Sequence, residues 1–428
     1  EKEEGKALAV WNSLSFPRTG VVELDRPVKG AGLLSQETYD GKGLCLAPDV
    51  PSKGFGVFEK EASSASDVFD SVETGEDGRL VKARTRFYEI EFDELGNFRT
   101  IYDRKEERSL LKEDAAGNQL LVFEDRPLEF DAWNIDPTYG EKVWPVNDLK
   151  ELRLLENGPV RGAILVKRRF LDSELEQVIC FYSHTARIDF KTRILWREHQ
   201  MLLKTAFPLD ILCREADYDI QFGNVSRPTH ENTTWDKARF EVCAHKWADI
   251  SEPGYGAALL NDCKYGYDIH DSVIRLTLIK SGIFPNPDAD QGEHEFIYSL
   301  YPHRGDFREG GVVQEAYDLN CPLQGTVVKG KGPASYSFLE IEEGNVLADT
   351  VKLSEERDGI IVRFYETYGK RTKAHVRFPG MGEAFFAECS CMEEEIKEQD
   401  GKNGELELLF KPYEIKTIKI KKQNLQEI

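Results

Sequence analysis

Three short polar strings in the sequence hold side chains of the types that do chemistry. The first runs from Phe130 to Tyr139 and combines carboxylates with aromatic rings, namely Asp131, Trp133, Asp136 and Tyr139. Carboxylates accept hydrogen bonds from paired hydroxyls, and aromatic faces cover the apolar C–H patches of a sugar ring. The string is therefore compatible with a carbohydrate contact. A loop with Asx turns around a packed Trp has the same composition, and composition alone favours the loop.

The second string runs from residue 227 to residue 236 and is dense in hydrogen-bond donors and acceptors. Its candidate binding residues are Arg227, His230 and Asp236. Such a string is unusual for a plain connection, and it predicts either a polar cleft or a network of buried hydrogen bonds at an interface. The residue types favour these two interpretations about equally.

The third string covers residues 285–294 and contains Asp288, Asp290 and Gln291 just before Gly292. Its Asp-x-Asp-x-Gly order is similar to a calcium loop, but the other EF-hand positions are absent. A turn with solvated carboxylates is the commonest explanation for such a string, and we favour it.

The segments around these strings alternate apolar and polar residues with a period of two, which is typical of half-buried β-strands. We expect strands at 88–92, 98–102, 160–170, 188–196, 275–279, 295–300, 360–365, 375–378, 406–410 and 415–420. One short helix is expected at 311–320. Because strands with Gly- and Pro-marked turns dominate, the sequence predicts an all-β fold built of sandwich layers. Breaks at 61–67 and 325–333 predict three domains, covering residues 1–62, 63–322 and 323–428.

Composition excludes several classes of protein. The 56 Lys and Arg against 77 Asp and Glu give a net charge of −21, which argues against nucleic acid and against an anionic membrane surface. No apolar run approaches the roughly 20 residues that span a bilayer. The eight cysteines are scattered, and residues 1–4 begin no signal peptide, so we expect a reducing, cytoplasmic location.

Several longer strings resemble the C-terminal β region of glycoside hydrolase family 38, the α-mannosidases, in the bacterial and vacuolar/cytosolic branch. They are VWNSLSFP at 10–17, FEDRP at 123–127 with DAW at 131–133, RPTH at 227–230 with WD at 235–236, FEVCAHKW at 240–247, ALLNDCKYG at 258–266 and DQGEHEF at 290–296. The resemblance covers nearly the whole chain. It implies a galactose-mutarotase-like super-sandwich flanked by an immunoglobulin-like unit and a small C-terminal sandwich.

The resemblance also implies retaining hydrolysis of terminal α-mannose in oligosaccharides, with an Asp nucleophile and a sugar-binding zinc ion. In the family these groups belong to an N-terminal α/β barrel and the helical bundle behind it, which no part of this chain resembles. We therefore expect no catalytic or metal-ligating residue here, and the zinc ligands to lie outside this chain. The expected role is to support the mannose pocket, and the chain alone is expected to be inactive.

The resemblance bears on the third string too, because many relatives carry Arg where this chain has Gln291. A neutral amide makes a weaker sugar clamp than a forked guanidinium. Two rival interpretations stay open. One is a self-sufficient carbohydrate-binding module without catalysis, and the other is an architectural domain that drives homo-oligomerisation.

Overall fold

The computed structural model describes residues 6–27, 33–58, 65–329 and 334–421. These residues form 36 strands and only two α-helices and one 3-10 helix. The expected all-β sandwich architecture is confirmed. The chain divides into two compact units. Unit 1 contains Glu1–Ser64, Ile220–Asn224 and Cys321–Ile428, and unit 2 contains Ala65–Asp219 and Val225–Asn320.

Unit 2 is built around three antiparallel sheets. The five-stranded sheet, in spatial order, has β10 (Arg108–Ser109), β9 (Phe98–Asp103), β8 (Tyr88–Phe92), β7 (Leu80–Thr85) and β6 (Phe69–Thr74). The six-stranded sheet has β12 (Val143–Pro145), β11 (Gln119–Glu124), β17 (Met201–Pro208), β24 (Val273–Ser281), β23 (Gly266–His270) and β20 (Val242–Cys243).

The nine-stranded sheet orders its strands β13-β14-β15-β16-β25-β22-β21-β18-β19. Their bounds are Asp148–Asn157, Arg161–Phe170, Ser173–Tyr182, Ile188–Trp196, Gly292–Arg304, Tyr255–Asn261, Trp247–Glu252, Glu215–Ile220 and Gly223–Pro228. Helix α1 (Thr234–Lys237), helix α2 (Val312–Asn320) and the 3-10 helix Tyr139–Glu141 are the helical elements of the described residues.

The core of unit 2 follows from the alternation seen in the sequence. On β16, Phe190, Ile194 and Trp196 are fully buried, and Phe190 stacks on Tyr298 of β25 with ring centroids 4.8 Å apart. On β17, Leu203 and Phe207 point into this same core. Residues of opposite parity on β17 must then point to the other face of the six-stranded sheet.

The turn between β8 and β9 shows why the hairpin forms where the sequence predicts it. Gly96 has φ +78, and a Cβ there would lie 2.9 Å from Leu149. Asp93 stabilises the turn by accepting hydrogen bonds from the backbone amides of Leu95 and Asn97 at 2.9 and 2.8 Å. Only glycine combines this left-handed backbone with so close an approach.

The described residues of unit 1 form four sheets of three to five strands. Two involve the first 58 residues: β26 (Gln324–Lys329), β1 (Lys6–Asn12), β5 (Gly54–Phe58) and β27 (Ser335–Ser337), and then β2 (Arg18–Leu24), β4 (Gly43–Val50) and β3 (Leu34–Glu37). The other two are β28 (Glu340–Ile341), β31 (Thr372–Arg377), β35 (Glu405–Phe410) and β34 (Gly401–Lys402), and then β29 (Val346–Leu353), β30 (Ile360–Glu366), β36 (Ile415–Lys421), β32 (Phe385–Cys389) and β33 (Glu395–Gln399).

The two expected breaks fall partly outside the described residues, which omit 59–64 and 330–333. Within the second break, residues 325–329 continue a strand, β26, that pairs with β1. Strands from both ends of the sequence therefore share one sheet. The division into three domains stays a prediction.

Candidate functional site

The outer face of the six-stranded sheet carries a cluster of buried charges. Lys204 is fully buried, and its ammonium donates hydrogen bonds to Glu241 and, at 2.6 Å, to Asp268. Arg275 donates to the second oxygen of Asp268, and Thr277 donates to Glu241 at 2.8 Å. We call Lys204, Glu241, Asp268 and Arg275 the Lys204 cluster.

The charges of this cluster stabilise one another against burial. Burial disfavours the charged form of Lys204, but attraction to Asp268 and Glu241 outweighs it, so the pKa of Lys204 is raised. Burial likewise opposes the Asp268 carboxylate, yet Lys204 and Arg275 hold the pKa of Asp268 below its usual value. The cluster therefore ties β17, β23 and β24 to the segment that carries Glu241.

The loop 125–142 lies on this face and contains the first predicted string. Tyr139 is buried, packs edge-on against Phe123 at 5.1 Å, and holds its ring 4.9 Å from the Lys204 ammonium. Burial also raises the pKa of the Tyr139 hydroxyl. Asp136 accepts hydrogen bonds from the amide and hydroxyl of Thr138. Both residues thus stabilise the loop.

Asp131 anchors this loop to a neighbouring segment. It is buried, and its Oδ2 accepts hydrogen bonds from the backbone amides of Ile283 and Phe284 at 2.6 and 3.2 Å. Lys280 donates to the Asp131 carbonyl at 2.6 Å and pairs with the buried Asp125 at 2.9 Å. The Oδ1 atom of Asp131 is buried without a hydrogen-bond partner.

Apolar side chains project from the two segments that Asp131 joins. Trp133 is 73% exposed, and its ring lies 6.5 Å from that of Phe130 in an edge-to-face arrangement. Leu128 of the same loop is also exposed, as are Ile283 and Phe284 of the segment that Asp131 contacts. We call these five residues the loop patch. Exposed apolar patches on anchored segments mark interaction or ligand-binding sites.

The second predicted string forms a small cavity of its own. Arg227, His230 and Asp236 line it together with Tyr218 and His270, among others, around a volume of about 10 Å³, room for roughly one water. The guanidinium of Arg227 lies 4.6 Å over the Tyr218 ring, and one of its terminal nitrogens is buried without a hydrogen-bond partner. A cavity of this size has no room for a sugar ring.

Asp236 also has a structural part in this string. Its backbone amide donates to Thr233, and its carboxylate accepts from the Thr233 amide, so the pair caps helix α1. The hydrogen bond from Thr233 lowers the pKa of Asp236. His230 lies 3.7 Å from the same carboxylate. Whether this string forms a binding cleft or an interface network stays a prediction.

The third string adjoins the loop 125–142, which contains the first string, through the turn at residues 197–200. Gln291 donates to the Glu198 carbonyl at 2.7 Å, and the Asp125 amide donates to the Gln200 carbonyl at 2.9 Å. Asp288 is exposed, with its carboxylate 3.8 Å from the His199 ring. The side-chain amide of Gln291 is therefore already hydrogen-bonded to the backbone.

Asp290 adopts a left-handed backbone with φ +57, and its carbonyl lies 2.8 Å from a His294 ring nitrogen. The backbone thus turns sharply here, which agrees with the interpretation of this string as a turn with solvated carboxylates. The structure brings the first and third strings to one edge of unit 2. The role of each predicted residue in sugar binding stays a prediction.

Sequence reasoning missed the Lys204 cluster and the Asp125–Lys280 pair. One signal was available, because Lys204 lies in the apolar strand Met201–Pro208 and Lys is almost never fully buried unless paired. A second hint came from Asp268 and Arg275, because these two residues are paired in register across the hairpin of β23 and β24.

Metal-ligating side chains do not converge at this site within the described ranges. Elsewhere in the described ranges, a group of side chains with spacing suitable for a metal ion is found in unit 1. It consists of Glu342, Glu343 and His375. Its members already pair with one another, and His375 lies 2.8 Å from Glu343. The donor set around the Lys204 cluster is occupied by Lys and Arg and does not fit a zinc ion.

Comparison with known families gives two matches. Residues 83–288 match the model of the glycosyl hydrolases family 38 C-terminal domain, and residues 345–418 match that of the family 38 C-terminal beta sandwich domain. Together the two segments cover more than half of the chain.

Curated relatives include human alpha-mannosidase 2C1, 33% identical over 418 residues, and alpha-mannosidase G of Dictyostelium discoideum, 32% identical over 439 residues. Each match covers 96% of this chain but only 39% and 40% of the relative, so the chain spans about two fifths of their length. Among the described residues, no helix is long and apolar enough to cross a membrane.

A solved structure of an alpha-mannosidase from Enterococcus faecalis V583 superposes with a TM-score of 0.76 at 15% identity. The superposition covers 97% of this chain and 56% of that one. At this level of identity the match shows a shared fold.

Proposed function

Because the chain belongs to the C-terminal region of glycosyl hydrolase family 38, we propose that it is the β region of a retaining α-mannosidase. The complete protein would hydrolyse terminal α-D-mannose from oligosaccharides. The two relatives named above support this proposal, since both are called alpha-mannosidases and both align over 96% of this chain. The chain corresponds to two fifths of their length, so the activity is proposed for the larger protein.

The proposed contribution of this chain is to support the substrate pocket with the loop patch. The observation that carries this role is the anchoring of the patch, in which Asp131 and Lys280 hold the loop 125–142 against residues 283–284. Trp133 then extends from a fixed base, and a fixed aromatic face covers a sugar ring at little cost in side-chain entropy. Catalysis depends on this positioning, because small misplacements of substrate slow the reaction severely.

The catalytic nucleophile and the zinc ligands are proposed to lie outside this chain. The Lys204 cluster supports this, because its carboxylates are neutralised by cations and buried beneath the loop 125–142. The complete enzyme is proposed to act in the cytoplasm. We further propose that the chain alone releases no mannose.

The test compares variants of the complete enzyme on 4-nitrophenyl α-mannoside and on a mannose oligosaccharide. Trp133→Ala should raise KM by about tenfold, the loss expected when one aromatic contact worth up to 1.5 kcal/mol is removed. Phe385→Ala is the matched control, because Phe385 is 61% exposed on β32 of unit 1. Equal kinetics for Trp133→Ala and the unaltered enzyme would exclude the pocket role. Release of nitrophenol by the chain alone would contradict the proposal that the catalytic groups lie outside this chain.

A further inference from the structure

One sheet of unit 1 carries a row of side chains across all four of its strands. Gln324, Trp11, Phe55 and Tyr336 are paired in register on β26, β1, β5 and β27. Directly paired residues of antiparallel strands share a face, so the four side chains lie side by side. The ring centroids of Trp11 and Phe55 are 6.4 Å apart, and those of Phe55 and Tyr336 are 6.2 Å apart.

The rings of this row are open to solvent. Trp11 is 42% exposed and Tyr336 is 43% exposed, although large aromatic side chains on a sheet usually pack inward. Successive ring planes tilt by 45° and 32°, so the rings do not cover one another face to face. They form a narrow strip that follows the twist of the sheet.

A glycine permits the close strand approach on which the strip depends. A Cβ at Gly54 would lie 1.9 Å from the carbonyl oxygen of Tyr336, so only glycine lets β5 approach β27 at this point. That approach sets Phe55 beside Tyr336. The row is therefore part of the backbone arrangement of the sheet and keeps its spacing without a ligand.

Polar groups flank the strip and turn it into a groove. Ser13, Lys53, Asp349 and Thr350 line it together with the rings, around a volume of about 690 Å³. Sites for small ligands span about 300–1,000 Å³. The Asp349 carboxylate accepts a hydrogen bond from Thr350 at 2.8 Å.

The charged residues that line the groove are one cation, Lys53, and one anion, Asp349, and the Lys53 ammonium donates to the Asp349 carbonyl at 3.4 Å. A chain of net charge −21 thus presents here a neutral, amphipathic surface. Its charge complements a neutral ligand rather than an anion or a cation. A protein partner would bury about 800 Å² on each side, a wider surface than a strip one ring across.

We propose that this groove binds a neutral oligosaccharide of pyranose rings. The C–H faces of successive sugars lie on Trp11 and Tyr336, since the negative face of an aromatic ring attracts polarised C–H groups. Lys53 donates to sugar hydroxyls, and Asp349 accepts from them. The amide of the exposed Gln324 adds a donor and an acceptor at the end of the row. No chemical step takes place here, and the groove shares no residue with the loop patch.

Calorimetric titration of the chain with linear mannotriose and with cellotriose tests the proposal. We expect saturable binding of at least one of them, and we expect Trp11→Ala to weaken it by about tenfold or more. Tyr336→Phe keeps the ring and should bind within about twofold of the unaltered chain, since the phenol is not needed for stacking. Phe385→Ala is the matched control, because it removes an exposed ring of unit 1 that does not line the groove.

Each outcome decides the proposal. The proposal is overturned if neither sugar shows saturable binding. It is also overturned if Trp133→Ala abolishes binding and Trp11→Ala leaves binding unchanged. Should sedimentation show self-association that Trp11→Ala removes, with no sugar bound, the groove is a protein interface and the proposal fails. If Trp11→Ala does not fold, Tyr336→Ala carries the same expectation. Because the assay involves no catalysis, its result is separate from the proposed mannosidase activity.

Discussion

Replacing Lys204 by Met should destabilise unit 2 strongly. The substitution keeps the length of the side chain but removes the charge that lies between Asp268 and Glu241. Breaking a buried ion pair by removing one partner costs about 3–5 kcal/mol, because the remaining charge is buried without compensation. Arg275 still pairs with Asp268, and Thr277 still donates to Glu241, so we place the cost near the lower limit.

Urea unfolding monitored by tryptophan fluorescence measures this cost. Trp196 and Trp247 are fully buried in unit 2 and report on its unfolding. With a denaturant slope of about 3 kcal/mol per molar urea, a loss of about 3 kcal/mol moves the midpoint by about 1 M. The loss in the free energy of unfolding should therefore be much larger than the error of the measurement.

The matched control is Lys167→Met. Lys167 is 42% exposed and pairs with Glu176 at 3.0 Å on the surface, and such pairs contribute about 0–1 kcal/mol. Combining Lys204→Met with Glu241→Gln should cost less than the sum of the two single variants, because the second change removes the carboxylate left unpaired. A midpoint for Lys204→Met as high as that of Lys167→Met would refute the reasoning.

Two further predictions concern pH and backbone strain. Burial lowers the pKa of His184 to about 4, below the unfolded value near 6.5, so stability is present above pH 6.5 and is lost as the pH falls towards 4. His184→Phe should flatten that part of a melting-temperature profile, and His199→Phe, which removes a half-exposed ring, is the matched control. Gly96→Ala should cost more than Gly78→Ala in urea unfolding, because both have positive φ but only Gly96 would also clash. Gly78→Ala alone should cost about 1 kcal/mol, and equal losses would contradict the role of the clash.

Local patterns predicted much of the fold. The alternation at 88–92 and 188–196 corresponds to β8 and β16 residue for residue, and the expected helix at 311–320 differs from α2 by one residue. These elements were predictable because one face of each is buried, which imposes a visible period on the sequence. The pairing of β26 with β1 was not predictable, because it joins residues more than 300 positions apart and leaves no local trace.

The candidate site was predictable only in outline. The strings around Asp131 and Gln291 do meet at one edge of unit 2, through the turn at 197–200. Residue type alone did not show that the Asp131 carboxylate faces two backbone amides, or that Trp133 beside it is exposed. Both facts depend on how the loop 125–142 folds back over the sheet.

The shared sheet of unit 1 has a consequence for the order of events during synthesis. Strand β1 is made before β26, which leaves the ribosome only after more than 300 further residues have been added. Unit 2 consists almost wholly of the intervening residues, and domains generally fold as units while the chain is growing. Strand β1 must therefore wait with one edge unpaired until β26 emerges, and an unpaired edge is a template for pairing with another chain.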